Sequence, residues 1–214
     1  MESHPVTPSN MYTWNYIREH IEGIEIARVG RAIKIRASGL DVTLPPYPEI
    51  EHVRILRRDG ILIPEVPSNW VAQWKANGSN IRIYSVRGEI IAVSRGGFLL
   101  DWKPYIALVR SPLKDILANA LEEENFVLFG ELVGPQSLVR ICPKYWREYI
   151  GGDIGYLLFD IYDLEHQRFL DLRFVERFGE ENVICAPLGS LPGDYEIRGC
   201  GKLGGDGKYA KQIR

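Results

Sequence analysis

The sequence places a lysine where an amine nucleophile would be presented. Lys75 follows an apolar run that ends at Trp74 and precedes Asn77-Gly78, a pair typical of a tight turn. A free lysine has a pKa of about 10.4, and its amine attacks an electrophile only when neutral, so partial burial or a neighbouring cation must lower that pKa. A single lysine at a strand end is more often simply solvated, and this stretch alone leaves both interpretations open.

Three further motifs carry polar or aromatic groups at strand ends or turns, where a scaffold presents functional side chains. They are Ser94-Arg95-Gly96-Gly97-Phe98, Phe129-Gly130-Glu131 and Phe159-Asp160, and Arg82 closes the stretch that begins at Lys75. Each motif has a plainer interpretation. The glycine pair is then only a turn, Glu131 an exposed strand residue and Phe159 a core residue. Their chemistry therefore depends on whether the fold brings them together.

The elements that must position these groups are predicted by apolar periodicity. Alternation predicts a small antiparallel meander within 23–63, a hairpin around Arg87-Gly88, and strands at 125–134 and 155–164. Helical spacing predicts helices after Ser9-Asn10 and after Ser111-Pro112, with a short one near 171–178. Strands dominate and helices are few, so we predict an α+β fold on antiparallel sheets rather than a βαβ nucleotide-binding fold.

The composition restricts the class of protein and its compartment. The chain carries a net charge of −2 with a pI near 6.1, which argues against a surface that grips nucleic acid by charge throughout but allows a local basic cleft. Three widely spaced cysteines and four scattered histidines predict no protein metal site and a reducing compartment. No signal peptide or apolar run of membrane length is visible, so we predict a cytoplasmic protein.

In this order, the motifs resemble the nucleotidyltransferase domain of ATP-dependent DNA and RNA ligases and mRNA capping enzymes. They are most similar to the archaeal homodimeric ATP-dependent RNA ligases. KANGSNIR (75–82) resembles that group's Lys-x-Asp-Gly-x-Asn-x-Arg nucleophile motif, and the motifs that follow it are similar to SRGGF (94–98), GELVGP (130–135) and LLFDIYD (157–163). Residues 46–61 resemble the lead-in to the lysine, and the resemblance covers about residues 23–178. It implies the antiparallel-sheet nucleotidyltransferase (ATP-grasp-like DNA/RNA ligase) fold.

The resemblance implies an ATP-dependent polynucleotide ligase or adenylyltransferase in which Lys75 attacks the α-phosphorus of ATP and becomes lysyl–AMP. It implies nucleotide-binding roles for five residues: Asn77, Arg82, Arg95, Glu131 and Phe159. Of these, the two arginines would contact ribose or phosphate, the carboxylate would accept a ribose hydroxyl, and the aromatic ring would stack on adenine. Mg²⁺ (or Mn²⁺) would be held mostly through phosphate oxygens. RNA or DNA ends would be the polymer substrates, and the oligomeric state is left open.

The resemblance also implies a division into three parts. Residues 1–66 would form an N-terminal helix and small β-meander, 67–185 the nucleotidyltransferase core, and 186–214 a Gly/Pro-rich tail in place of the family's last motifs.

Two departures from the family pattern set this chain apart. Asn77 stands where the family has aspartate, and no Glu-Gly-x-x-Lys follows Asp163, so we expect a C-terminally shortened enzyme with impaired ligation. No role is assigned to Lys208 in the tail.

Two other hypotheses are therefore carried beside the enzyme. One is a non-catalytic ligase-like module that binds ATP or nucleic acid, which the asparagine at 77 and the missing lysine strands favour. The other is an unrelated strand-rich protein in which the motif matches arise by chance. These hypotheses are distinguished by whether the side chains of residues 75, 95, 131 and 159 converge around one pocket of the size of adenosine.

Overall fold

The computed structural model describes residues 7, 9–49, 54–58, 61–65, 70–74, 78–122, 125–134, 154–182 and 208–212, with the main chain alone described at 54–58, 61–65, 70–74 and 208–212. The helices within these residues are α1 (Met11–His20), α2 (Trp102–Val109), α3 (Leu113–Ala120) and α4 (Leu172–Glu181). The strands there are β1 (Glu25–Val29), β2 (Ala32–Ala37), β3 (Leu40–Leu44), β4 (Arg54–Arg58), β5 (Ile61–Glu65), β6 (Trp70–Trp74), β7 (Ser79–Val86), β8 (Glu89–Ser94), β9 (Phe126–Val133), β10 (Gly155–Asp163), β11 (Arg168–Phe169) and β12 (Lys208–Gln212).

A five-stranded sheet organises the described part of the chain. Its order is β11-β10-β9-β7-β8, and every neighbouring pair in it is antiparallel. Strands β1, β2 and β3 form a separate antiparallel meander, as predicted, but β4, which the prediction for 23–63 included in the same meander, pairs with β5 instead. Two further antiparallel pairs join β4 with β5 and β6 with β12. The predicted α+β fold on antiparallel sheets is therefore confirmed.

Both faces of the central sheet are covered. Successive side chains of a strand point to opposite faces, yet Ile81, Arg82 and Ile83 of β7 are all 0% exposed. Helices α1 and α3 contact β8, and α4 contacts β10. The meander also approaches the sheet, where the carbonyl oxygens of Arg31 in the β1–β2 turn and of Leu44 at the end of β3 accept hydrogen bonds from Arg82. A sheet buried on both faces holds its strands in a fixed register, which matters for any group placed at the strand ends.

The hairpin between β7 and β8 is built as its sequence predicts. Val86 pairs with Glu89, which leaves a two-residue loop of Arg87 and Gly88. Both loop residues have positive φ, 54° and 79°. This is the backbone of a type I′ turn, whose twist matches that of the flanking strands. The hairpin fixes the position of the segment that follows β8.

At the starts of α1 and α3, the side chains predicted to cap the helix make other contacts. Helix α1 begins after Asn10 as predicted, but the side chain of Asn10 makes no capping bond and instead donates to the buried carbonyl of Leu99 at 3.1 Å. The hydroxyl of Ser111 likewise donates to Leu108 O at 2.8 Å and does not cap α3. Carbonyls removed from water require donors, so a distant carbonyl takes the side chain of Asn10, and one at the end of the preceding helix takes that of Ser111.

Candidate functional site

The sheet register places three of the sequence motifs side by side. Asn80 of β7 pairs with Glu131 of β9, and Glu131 pairs in turn with Leu157 of β10. Arg95 follows β8 directly, and its main-chain N–H donates to the carbonyl of Asn80 at 3.1 Å. Segments that are far apart in sequence therefore meet in one row across the sheet. Arg95 is exposed and Glu131 half-buried, so a ligand can reach this row at Arg95.

The SRGGF motif forms a closed turn around Arg95. The N–H of Ser94 donates to Phe98 O at 2.7 Å, and the N–H of Gly97 donates back to Ser94 O at 3.0 Å. Gly97 has a φ of +79°, and a Cβ there would lie 3.0 Å from Arg31 O of the β1–β2 turn. The glycine is thus required both for its backbone conformation and for close packing on the meander. This rigid turn carries an exposed guanidinium.

Phe159 lies in a β-bulge. The register of β10 against β9 shifts between Leu158, which pairs with Gly130, and Asp160, which pairs with Phe129. A bulge redirects the side chain of its extra residue, and bulges are common next to functional sites. The ring of Phe159 is half-buried, and the ring of Tyr47 meets it at 5.1 Å between centroids with an interplanar angle of 73°. Phe159 is therefore packed on Tyr47 and still partly exposed.

Two glycines let strand β9 approach its neighbours closely. A Cβ on Gly78 would lie 2.5 Å from the carbonyl oxygen of Leu132, and one on Gly130 would overlap the Tyr156 ring and lie 2.6 Å from Leu157 O. Real Cβ atoms essentially never come so close. Gly130 precedes Glu131, so the close packing of Tyr156 on Gly130 fixes the strand just before the carboxylate.

Replacing Gly130 by alanine should lower the free energy of unfolding by about 1–3 kcal/mol, because the new methyl group overpacks a site lined by backbone and a buried ring. Urea denaturation followed by circular dichroism measures the change. Gly96→Ala is the matched control, since its methyl group would lie 3.3 Å from the Phe98 ring, and we expect a change within about 0.5 kcal/mol. Equal destabilisation by both substitutions would show that the contact with Tyr156 is not the cause.

Arg82 is placed as a fully buried cation. Its Nη1 donates to Pro45 O at 2.6 Å and to Leu44 O at 3.4 Å, while its Nη2 donates to Arg31 O at 2.9 Å and Ser94 O at 3.2 Å. Burial, together with the charge of Arg31, lowers the pKa of Arg82 to about 10, so the group stays protonated at neutral pH. The guanidinium joins β7 to the meander and to the end of β8, a positioning role that the sequence did not indicate. Its contact with ribose or phosphate stays a prediction.

Lys75 and Asn77 lie outside the described residues, but the strand that leads to Lys75 is described. Strand β6 ends at Trp74, one residue before the lysine, and pairs antiparallel with β12. In this pairing Lys208 lies opposite Trp74. The sequence assigned 186–214 to a Gly/Pro-rich tail and gave Lys208 no role, because five residues of alternation after a glycine-rich run are too weak a signal for a strand. The register nevertheless brings a lysine-bearing strand beside the one that precedes Lys75.

Sequence reasoning missed two residues of this region. Asn80 lies beside Glu131, and its Oδ1 is buried without a hydrogen-bond partner in the described part of the chain. The sequence did contain a signal for Asn80, because this residue is the second asparagine of the KANGSNIR motif (75–82). Tyr47, which contacts Phe159, lies in the segment that resembles the family's lead-in to the lysine, but nothing in that segment indicates a partner at 159 or 160.

Two classes of feature are absent from the residues that the structure describes. No three side chains of His, Cys, Asp or Glu come together there as a potential metal site. Among the described helices, none has both the length and the apolar character needed to cross a membrane.

Comparison with known proteins identifies the fold and the family. Two solved structures named archaeal ATP-dependent RNA ligase, form 1 and form 2, superpose with TM-scores of 0.60 and 0.56 at 15% identity. They cover 87% and 85% of this chain and 54% and 50% of the ligase chain. An uncharacterized protein of Methanocaldococcus jannaschii is 27% identical over 106 residues, which are 48% of this chain and 25% of that protein. This chain thus spans about half the length of these two archaeal ligase structures. Since the RNA ligase family model matches residues 68–197, more than half of the 214 residues, the chain belongs to the RNA ligase family.

Proposed function

We propose that this chain is an ATP-dependent RNA ligase-like nucleotidyltransferase that forms a lysyl–AMP intermediate at Lys75. The observation that carries the proposal is the row formed by Arg95, Asn80 and Glu131 across β8, β7 and β9. These groups come from three of the four motifs shared with nucleotidyltransferases, and the fourth motif supplies Phe159 on the adjoining strand β10. A chance set of motifs gives no reason for such an arrangement.

The reaction forms one bond and breaks one. The Nζ of Lys75 attacks the α-phosphorus of ATP in line with the leaving group, an N–P bond forms, and the P–O bond to pyrophosphate breaks. The amine must lose its protons, one before attack and one as the phosphoramidate forms. Free lysine is protonated at neutral pH, so the site must favour the neutral amine. The register places Lys208 opposite Trp74, one residue before Lys75, and a cation close to the amine would act in that direction.

The other residues would hold the nucleotide for this attack. The exposed guanidinium of Arg95 suits a phosphate or ribose oxygen, and Glu131 suits a ribose hydroxyl donor. The partly exposed ring of Phe159 suits the face of adenine. All three are carried on strands or closed turns of a sheet that is buried on both faces, which restricts the motion of the bound nucleotide.

A divalent cation fits the oxygen donors of the row. Asn80 offers a buried amide oxygen without a hydrogen-bond partner among the described residues, and Glu131 lies beside it in the register. Oxygen donors of this kind suit Mg²⁺ or Mn²⁺ bound mainly by phosphate oxygens. The bound cation would neutralise charge on the phosphates.

RNA ends are the polymer substrate that we propose, because the family is that of RNA ligases and the similar archaeal structures are named ATP-dependent RNA ligases. DNA ends are the alternative. We place the protein in the cytoplasm, since it would consume ATP and its three cysteines are widely spaced.

Incubation of the chain with ATP and Mg²⁺ or Mn²⁺ tests the proposal. ATP labelled at the α-phosphate should leave a label on the protein that survives denaturation, whereas ATP labelled at the γ-phosphate should leave none, because the γ-phosphate departs with pyrophosphate. Intact-mass measurement should show one added AMP per chain. Absence of the adduct across a range of pH and both metals would overturn the catalytic proposal.

A non-catalytic nucleotide-binding module is the second candidate, and Asn77 favours it. Asparagine keeps the shape of the family's aspartate but removes its charge, which weakens any contribution of that position to metal handling or lysine activation. This candidate predicts reversible binding of ATP by calorimetry with no covalent adduct. Restoring the carboxylate with Asn77→Asp should then produce an adduct.

A further inference from the structure

A segment of irregular backbone lies along one face of the central sheet, immediately beside the candidate site. This segment, residues 45–49, is called the strap. Arg82, Phe129 and Asp160 are register partners on β7, β9 and β10, so their side chains form one row on the same face of the sheet. That row, called the inner row, lies two residues away from Asn80 along β7 and from Glu131 along β9, and its side chains point to the same face of the sheet.

The strap contacts every residue of this inner row. The carbonyl of Pro45 accepts from Arg82 at 2.6 Å, and the ring of Tyr47 lies 5.3 Å from that of Phe129. At the far end, the Tyr47 hydroxyl donates to Asp160 Oδ2 at 2.9 Å. Tyr47 and Asp160 are only 5% and 7% exposed, so this hydrogen bond joins two buried groups that are 113 positions apart in the chain.

Tyr47 meets β10 at the bulge. Asp160, which accepts its hydroxyl, is the residue after Phe159, and the Tyr47 ring meets Phe159 nearly at right angles, a favoured geometry for an aromatic pair. The register of β10 against β9 shifts at Phe159, so contacts from outside this strand pair help to set the direction of its side chain. Tyr47 supplies two: one to the ring itself and one to the neighbouring carboxylate.

We propose that Tyr47 is a positioning residue that holds the ring of Phe159 at the angle needed to stack on the base of a bound nucleotide. The inference rests on the proposed function and deepens it, because it makes recognition of the base depend on a residue that lies on the strap, outside all four motifs. Tyr47 is buried and acts through Phe159. Its contribution should therefore concern the base and leave the phosphates unaffected.

A double-mutant cycle on Tyr47 and Phe159 tests this. The affinity of wild type, Tyr47→Leu, Phe159→Ala and the double variant is measured by calorimetry for ATP and for tripolyphosphate, which lacks a base. Tyr47→Leu should weaken ATP binding by about threefold to tenfold, the range of an aromatic pair, and leave tripolyphosphate binding unchanged. In the Phe159→Ala background the same substitution should have little further effect.

Two more variants separate positioning from folding. Tyr47→Phe keeps the ring and removes only the bond to Asp160, so it should fold and show a smaller loss for ATP. Tyr105→Phe removes a comparable buried hydroxyl, which donates to Ile90 O at 2.8 Å elsewhere in the fold, and should leave both affinities unchanged.

Additive losses in the cycle, or equal weakening of ATP and tripolyphosphate, would overturn the inference and make Tyr47 a core residue only. Failure of the wild-type chain to bind ATP at all would instead overturn the proposed function, and this inference with it.

Discussion

Replacement of Lys75 by alanine is expected to abolish the covalent AMP adduct, lowering its rate of formation by at least about a thousandfold. The reason is that no other group can take the place of the nucleophile in an N–P bond-forming step. The label retained by the denatured protein after incubation with α-labelled ATP measures the effect. Lys75→Arg should fail equally, because a guanidinium remains protonated and does not attack.

Lys103→Ala is the matched control, since Lys103 is an exposed lysine on α2, and this variant should label like wild type. Lys208→Ala should label more slowly but still at Lys75, because the role proposed for Lys208 is to contribute charge and no bond. Retention of the adduct in Lys75→Ala combined with its loss in Lys208→Ala would move the nucleophile to β12 and contradict the assignment.

Arg82→Met is expected to destabilise the fold by about 2–4 kcal/mol. Methionine fills much of the same volume, but the carbonyls of four residues lose a charged donor, and this loss exceeds the relief of no longer burying a cation. The midpoint and slope of urea denaturation measure the change. Arg87→Met is the control, because its exposed guanidinium donates to one carbonyl, that of Ser38, and we expect a loss below about 0.5 kcal/mol.

The same variant also tests the ligand contact that the resemblance implies for Arg82. If the guanidinium acts by holding the meander and the end of β8, ATP affinity should fall only as far as stability does, and Arg82→Lys should recover part of both. A stable Arg82→Met protein that cannot bind ATP would show that contact with the nucleotide is the main role.

Strands β7, β8, β9 and β10 of the central sheet could be predicted because their signals are local. Apolar alternation on both sides of Arg87-Gly88 specifies the β7–β8 hairpin, and the structure has it. Helix α2 was not predicted, because six of its eight residues are apolar or aromatic in a run that shows no clear amphipathic period. Strand β12 was missed since its five residues are stabilised by pairing with β6 far earlier in the chain.

The sequence predicted which residues belong to the candidate site, but it could not predict the contacts between them. The motifs named Glu131 and Arg95, and the register then showed that both adjoin Asn80. No local pattern marks Arg82 as a buried donor to carbonyls, because its partners belong to three other segments. The contact between Tyr47 and Asp160 likewise depends on tertiary packing across 113 positions. Sequence periodicity indicates which helices and strands form, whereas the contacts of Arg82 and Tyr47 depend on how those helices and strands pack against one another.

The pairing of β6 with β12 has a consequence for the timing of folding. Strand β6 is followed at once by the segment that leads into β7, yet its hydrogen-bonding partner comes more than a hundred residues later. Contacts between such distant segments are slow to form, because the long intervening loop must first be closed. We therefore expect the β7–β8 hairpin to form early in folding and the β6–β12 pair, which leads to Lys75, to form late. Lys75 would then become reactive only in the last stage of folding.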